Sequence, residues 1–210
     1  GEWEWGVPIG TSLQGGFANV DFIVQTNEDY SENGEKCFVT GNYDVSQPGS
    51  GDIDGGETIL YSDIYDLEQY PDVLLSYWRW YTNNLGSNPG NDIWNVQVSS
   101  NSGVSWTNLE FTSNSLNQWH KRRFVLSNYI DLSNEVQFRY IASDLLNNGD
   151  VGSGGSLVEA ALDDFKLEII NIQTQFGDIN FDGAIDVIDV VIVVSIILGE
   201  YLPTEEQFVN

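Results

Sequence analysis

The chain has 210 residues, room for one large or two small domains, and carries 32 Asp and Glu against seven Lys and Arg, a formal net charge of −25. That imbalance repels phosphate polymers and anionic bilayers, so nucleic-acid and acidic-membrane binding are excluded and cations, calcium above all, are favoured. Cys37 is the lone cysteine, which rules out an intrachain disulfide, and no apolar run is long enough to span a bilayer.

Methionine is absent, so Gly1 is not expected to be a native start. The chain reads as a processed segment of a secreted, extracellular or cell-surface protein whose signal peptide lies outside it. Glycine, serine and asparagine punctuate short β-branched and aromatic runs, the pattern of an all-β sandwich. Strands are predicted at 18–25, 36–40, 58–61, 73–81, 93–99, 105–111, 120–125, 135–143 and 159–170. No long helical pattern precedes Asp186. Residues 171–176 (NIQTQF) read as a linker, which divides the chain into a jelly-roll β-sandwich over 1–170 and a small C-terminal unit over 177–210.

Along the strand at 73–81, Leu74, Ser76, Trp78 and Trp80 fall on one face and Val73, Leu75, Tyr77, Arg79 and Tyr81 on the other. Both faces are bulky, so the strand is predicted to be central and covered on both sides. Trp78 and Trp80 could stack on a sugar, but packing the core is the favoured reading. Arg79 is then expected to pair with a carboxylate. The next punctuation, SSNSGVSW at 99–106, fits the pattern S-x-[DN]-x-G-x-[ST]-W. It predicts a tight hairpin in which Asn101 bonds its own downstream backbone, Gly103 takes positive φ and Trp106 anchors the turn. The motif resembles the Asp-box of sialidases, where it lies far from the chemistry, and one copy does not make a propeller.

His120 follows in WHKRRF, flanked by Lys121, Arg122 and Arg123, cations that disfavour an imidazolium and supply no orienting carboxylate. No metalloprotease, serine-hydrolase, P-loop or dinucleotide motif occurs. Carboxylates are plentiful, but nothing singles out a glycosidase pair. The chain is read as non-enzymatic.

Five segments, 51–67, 73–83, 91–110, 119–130 and 136–168, are together similar to the MAM-like jelly-roll modules of secreted bacterial peptidases and large surface proteins. The resemblance implies an accessory role and a jelly-roll cation site built from an early loop and the last strand. Asp52 and Asp54 in DIDGG, with Asp164 of EAALDDF, are the candidate ligands of this second site; Glu159, Asp163, Asn19 and Asp21 are the others considered. Successive strand residues face opposite sides, so Asp163 and Asp164 can both point inward only across a bulge.

The C-terminal unit opens with GDINFDGAIDVID at 177–189. Counted from Asp178, Asp178, Asn180, Asp182, Asp186 and Asp189 occupy positions 1, 3, 5, 9 and 12 of an EF-hand-type calcium loop, Ala184 offers its carbonyl at position 7, and Gly183 makes the turn at position 6. Asp at position 12, the leading glycine and the following apolar run closely resemble one half-repeat of a dockerin; the second repeat is absent from this chain. The loop dictates a helix over the run VIDVVIVVSIIL, although β-branched residues are mediocre helix formers. Such a helix is apolar on nearly all sides and needs cover. Val190, Val193, Val194, Ile196 and Ile197 are therefore expected to dock on a protein partner or a second copy. The leading expectation is a calcium-binding adhesion or assembly module, a surface-layer or filament subunit for example. The alternative is a carbohydrate-binding accessory module of a secreted hydrolase that takes an extracellular glycan.

Overall fold

The computed structural model describes residues 1–14, 21–42, 49, 51–145, 155–170, 177, 179 and 185–200. Within them the strands are β1 (Glu4–Gly6), β2 (Thr11–Gln14), β3 (Asp21–Gln25), β4 (Cys37–Val39), β5 (Gly56–Tyr65), β6 (Val73–Thr82), β7 (Trp94–Ser99), β8 (Thr107–Thr112), β9 (His120–Val125), β10 (Val136–Asp144) and β11 (Glu159–Ile169). Helix α1 spans Val187–Ile197. The strands form a jelly-roll-like sandwich of two antiparallel sheets, one ordered β1-β4-β11-β6-β9 and the other β5-β10-β7-β8, with β2 and β3 paired as a separate hairpin.

Alternation along the strands builds the core. From β6, Val73, Leu75, Tyr77 and Tyr81 meet Trp94, Val96 and Val98 of β7 and Val136, Phe138, Tyr140 and Ala142 of β10. Each large side chain withdrawn from water contributes about 1.5–3 kcal/mol. The core also takes in the carboxylate of Glu110. Glu110 accepts hydrogen bonds from the Tyr77 hydroxyl (2.8 Å) and the Trp94 indole (3.1 Å) and pairs with Arg79 (3.4 Å) and Arg122 (3.0 Å). A bulge places it there: the β7–β8 register slips between Val96 and Gln97, so Leu109 is an extra residue and both Leu109 and Glu110 are buried.

The first sheet is covered on its far side as well. Trp80 packs there with Cys37, Val39 and Ala161, and half-buried Trp119 closes the cluster. The hairpin lies across it: the Trp80 indole (3.0 Å) and the Thr82 hydroxyl (2.5 Å) donate to the Val24 carbonyl, and Gln25 donates to the Thr40 (2.8 Å) and Ala160 (3.1 Å) carbonyls. This is why β6 carries bulky residues on both faces. The second sheet has no such cover among the described residues, and Tyr61, Ile64 and Phe111 on its outer face are each more than half exposed. The hairpin thus decides which face of the sandwich meets solvent.

Candidate functional site

The site begins at the turn between β7 and β8. The Ser99 hydroxyl receives the Asn101 (3.1 Å) and Gly103 (2.9 Å) N–H groups. The Asn101 carboxamide oxygen accepts from the Ser105 N–H (2.9 Å), and its nitrogen donates to the Ser105 hydroxyl (2.8 Å). Gly103 sits at φ +84°, and a Cβ there would lie 3.0 Å from the Trp106 ring. The glycine is therefore required twice, for its backbone conformation and for the close approach of the indole.

The turn fixes Trp106 over Arg139, whose guanidinium carbon lies 4.3 Å from the ring centroid. Tyr61 flanks the same indole at 6.1 Å. Register then does the rest. Tyr61 pairs with Arg139, Arg139 with Gln97 and Gln97 with Asn108, so the four residues form one line across β5, β10, β7 and β8. At a strand spacing of about 4.8 Å the line is roughly 14 Å long. The Arg139 Nε donates to Gln97 Oε1 (2.6 Å), and Gln97 Nε2 donates to Asn108 Oδ1 (2.7 Å). These bonds lock three flexible side chains flat against the sheet. The rest of the guanidinium and the Asn108 amide nitrogen stay available as donors. The next line holds Ile59, Ile141, Asn95 and Phe111. The surface is a shallow platform of rings and planar polar groups aligned by the sheet.

The sequence-predicted sites lie elsewhere. Trp78 and Trp80 form no exposed platform: Trp80 is buried under the hairpin, and Trp78 stacks on Tyr30 at 3.5 Å. Asp52 and Asp54 precede β5 and act on each other, burial first and Asp54 next pushing Asp52 up to about 6. Asp164 is held beside a different loop. A register shift between Asp163 and Lys166, with Asp164 at φ +49°, turns both carboxylates toward Ser31. Asp163 accepts from the Tyr30 (2.8 Å) and Ser31 (3.2 Å) N–H groups, and Asp164 from the Ser31 hydroxyl (2.8 Å). An open groove of about 700 Å³ runs beside them, with Trp5, Phe38, Leu162 and Phe165 along it. Among the described residues no three His, Cys, Asp or Glu side chains come close enough together to hold a metal ion. Asp52, Asp54 and Asp164 are accordingly not one ligand set. Sequence alternation cannot reveal this, because the two loops approach the sandwich from separate strand connections.

Of the C-terminal loop, Asp178, Asn180, Asp182 and Ala184 lie outside the described residues, as do Asn19 and the side chain of Asp21. Asp186 caps α1 by accepting the Ile188 N–H (2.7 Å). Buried Asp189 accepts the Asp186 N–H (2.8 Å) and the Ile179 N–H (2.7 Å), which draws the two ends of the loop together. Val190, Val193, Val194 and Ile197 on α1 are exposed, and Ile196 is half-buried.

Cys37 is fully buried, and burial pushes its thiol up to about 12, which leaves it inert as a nucleophile. Burial, then Arg122 and Arg79, hold His120 below its ordinary value. Among the described residues no helix is long and apolar enough to cross a membrane.

No protein-family model and no curated protein matches the chain. Solved structures with some likeness include the Family 16 Carbohydrate Binding Module-2, 14% identical over 79% of this chain and 89% of that one at a TM-score of 0.39. A Family 30 Carbohydrate Binding Module is 13% identical over 87% and 90%, also at 0.39. The CBM22-1 xylan-binding domain of Paenibacillus barcinonensis Xyn10C is 13% identical over 80% and 86%, at 0.34. Overlap at that level carries no argument, so fold and site rest on this chain's own strand pairing and side-chain geometry.

Proposed function

We propose that the chain is a non-catalytic module that binds neutral polysaccharide along the outer face of the second sheet. The observation that carries this is the line Tyr61–Arg139–Gln97–Asn108, held flat by its own hydrogen bonds beside Trp106 on the one sheet face left uncovered among the described residues. A sugar ring presents an apolar C–H face and an equatorial rim of hydroxyls. Tyr61 offers a half-exposed ring for the first, and Arg139 and Asn108 offer in-plane N–H donors for the second. An open platform without walls suits a chain that extends past the protein on both sides. The net charge of −25 selects against uronate and sulfate polymers, which leaves neutral glycans.

This reading replaces the adhesion module expected first from the sequence. The described residues give that expectation no support: nothing in them covers α1, and four of the six loop ligands lie outside them. Titration calorimetry of the full chain against soluble mixed-linkage β-glucan and xylan tests the proposal. Tyr61→Ala and Arg139→Ala are each expected to weaken binding about tenfold, a loss of ~1.4 kcal/mol. Tyr70→Ala, exposed but outside the platform, is expected to bind as the parent does. Undiminished binding by both platform variants, or no binding of the parent to any neutral polysaccharide, overturns it.

A further inference from the structure

One end of the sandwich gathers buried oxygen atoms, several of them without a close hydrogen bond among the described residues. Asp144 closes β10 opposite Gly56, the first residue of β5. It is completely buried, and among the described residues only the Gly155 main chain acts on its carboxylate as a donor, with neither oxygen held by a close hydrogen bond. Asn83, just past the end of β6, is also completely buried. Its amide nitrogen donates to the Asp92 carbonyl (2.7 Å), and its Oδ1 is unpartnered. The Tyr81 hydroxyl meets the Asn83 side chain, feels the charges of Asp92 and Asp144, and has no close hydrogen bond among the described residues. Asp92, ahead of β7, is buried and accepts the Leu145 N–H (2.9 Å) through one oxygen. Asp52, ahead of β5, is buried with Oδ1 unpartnered.

An unmet buried polar atom costs about 1–3 kcal/mol, more when it is charged, and such atoms are rare in folded proteins. Several at one end of one domain call for a common cause. The charged groups that act most strongly on Asp144 are Asp92, Asp54 and Asp52, all acidic. Arg79, two residues before Tyr81, is engaged by Glu110. A proton on Asp144 would relieve one of its oxygens and leave the Asn83 Oδ1 without a close donor among the described residues. A hard cation would meet them together.

We propose that this end of the sandwich binds a calcium ion, ligated by the carboxylates of Asp144 and Asp92 and the carboxamide oxygen of Asn83. The donor set is oxygen throughout and mixes charged with neutral atoms. That suits calcium, which accepts six to eight oxygens in irregular geometry and completes its shell with main-chain carbonyls and water; magnesium demands a near-ideal octahedron and zinc prefers nitrogen and sulfur. With two carboxylates rather than three, the set is not visible as an acidic triad. The ligands come from the end of β6, the start of β7 and the end of β10, so the ion would tie the first sheet to the second at the end where these strands stop and start. It is separate from the platform and from the C-terminal loop.

The test is thermal unfolding of the full chain followed by tryptophan fluorescence, in calcium and in chelator. All seven tryptophans lie between positions 3 and 119, so the signal reports the sandwich and not the C-terminal unit. At about a hundredfold excess over Kd, calcium is expected to raise the midpoint on the order of 5–10 °C. Asp144→Asn is expected to abolish the rise, and Asp189→Asn, in the C-terminal loop, to keep it. A rise that survives Asp144→Asn, or no rise in the parent, overturns the proposal. Should Asp144→Asn not fold, terbium luminescence of the parent, excited through tryptophan, decides: Trp94 lies 5.8 Å from Tyr81 and is placed to sensitise the ion. Emission that calcium displaces supports the site, and its absence overturns it.

Discussion

Glu110 and Arg139 show how the same chemistry serves stability in one place and recognition in another. Glu110 stands in the core, and its four partners are a phenol, an indole and two guanidinium groups. Taking such a set out of water gains little net stability, but breaking it is costly, because the remaining charge is left buried. Arg79 is 5% exposed, and one of its terminal nitrogens already lacks a partner. Glu110→Ala is therefore expected to destabilise the sandwich by about 3–5 kcal/mol, and Tyr77→Phe, which removes one hydrogen bond and no charge, by about 1 kcal/mol. Urea denaturation followed by tryptophan fluorescence measures both; a Glu110→Ala loss no larger than that of Tyr77→Phe would mean the ion pairs are already solvated. At the outer face Arg139 is aligned by Gln97 and Trp106 instead of a carboxylate. A guanidinium held by neutral groups keeps its remaining donors for a ligand.

Elements translate local sequence into that arrangement, and most of them were legible beforehand. The alternation and bulk of β6 predicted a central strand, and the sandwich with its hairpin cover supplies both covered sides. The nine predicted strands correspond to β3 through β11, with β5 running four residues past its predicted end. β1 and β2 were not legible. They are three and four residues long, and each is ordered by its partner strand rather than by its own pattern. The turn chemistry of 99–106 was legible down to Asn101, Gly103 and Trp106. What the turn is for was not, because Tyr61, Gln97, Asn108 and Arg139 are aligned only by register, and register passes through bulges in both the β5–β10 and β7–β8 pairs. The donor-poor end of the sandwich was illegible for a related reason: Asn83, Asp92 and Asp144 carry no spacing that marks them as a set. The turn makes a prediction at its own scale. Gly103→Val forces a branched side chain to φ +84° against the Trp106 ring, at a cost of about 1–3 kcal/mol. It should displace the indole from Arg139, change the near-ultraviolet circular dichroism and weaken glycan binding several-fold, with the β-sheet signal unchanged. Full affinity with a displaced indole would show that Trp106 does not order the platform.

At the scale of the whole molecule, two asymmetries act together: among the described residues one sheet is covered and the other open, and the chain carries 25 more negative than positive formal charges. The open face supplies contact, and the charge supplies exclusion. An uncharged polysaccharide meets the platform with no long-range force, so its affinity should depend on stacking and hydrogen bonds and barely on salt. An acidic polysaccharide with the same backbone must approach through a repulsive field. That field reaches about 10 Å at 0.1 M ionic strength and about 3 Å at 1 M, so salt should only lessen its disadvantage. Affinity electrophoresis in gels containing xylan or polygalacturonate, run at low salt and at about 1 M salt, separates these cases. The expected outcome is retardation by the neutral polymer that is equal at both ionic strengths, none by the acidic polymer at low salt, and at most a weak gain for it at high salt. Retardation that collapses as salt rises would instead make Arg139 an anion anchor. The platform would then be a charge-reading surface, and the neutral-glycan assignment would fall while the fold and the alignment of its four strands stood.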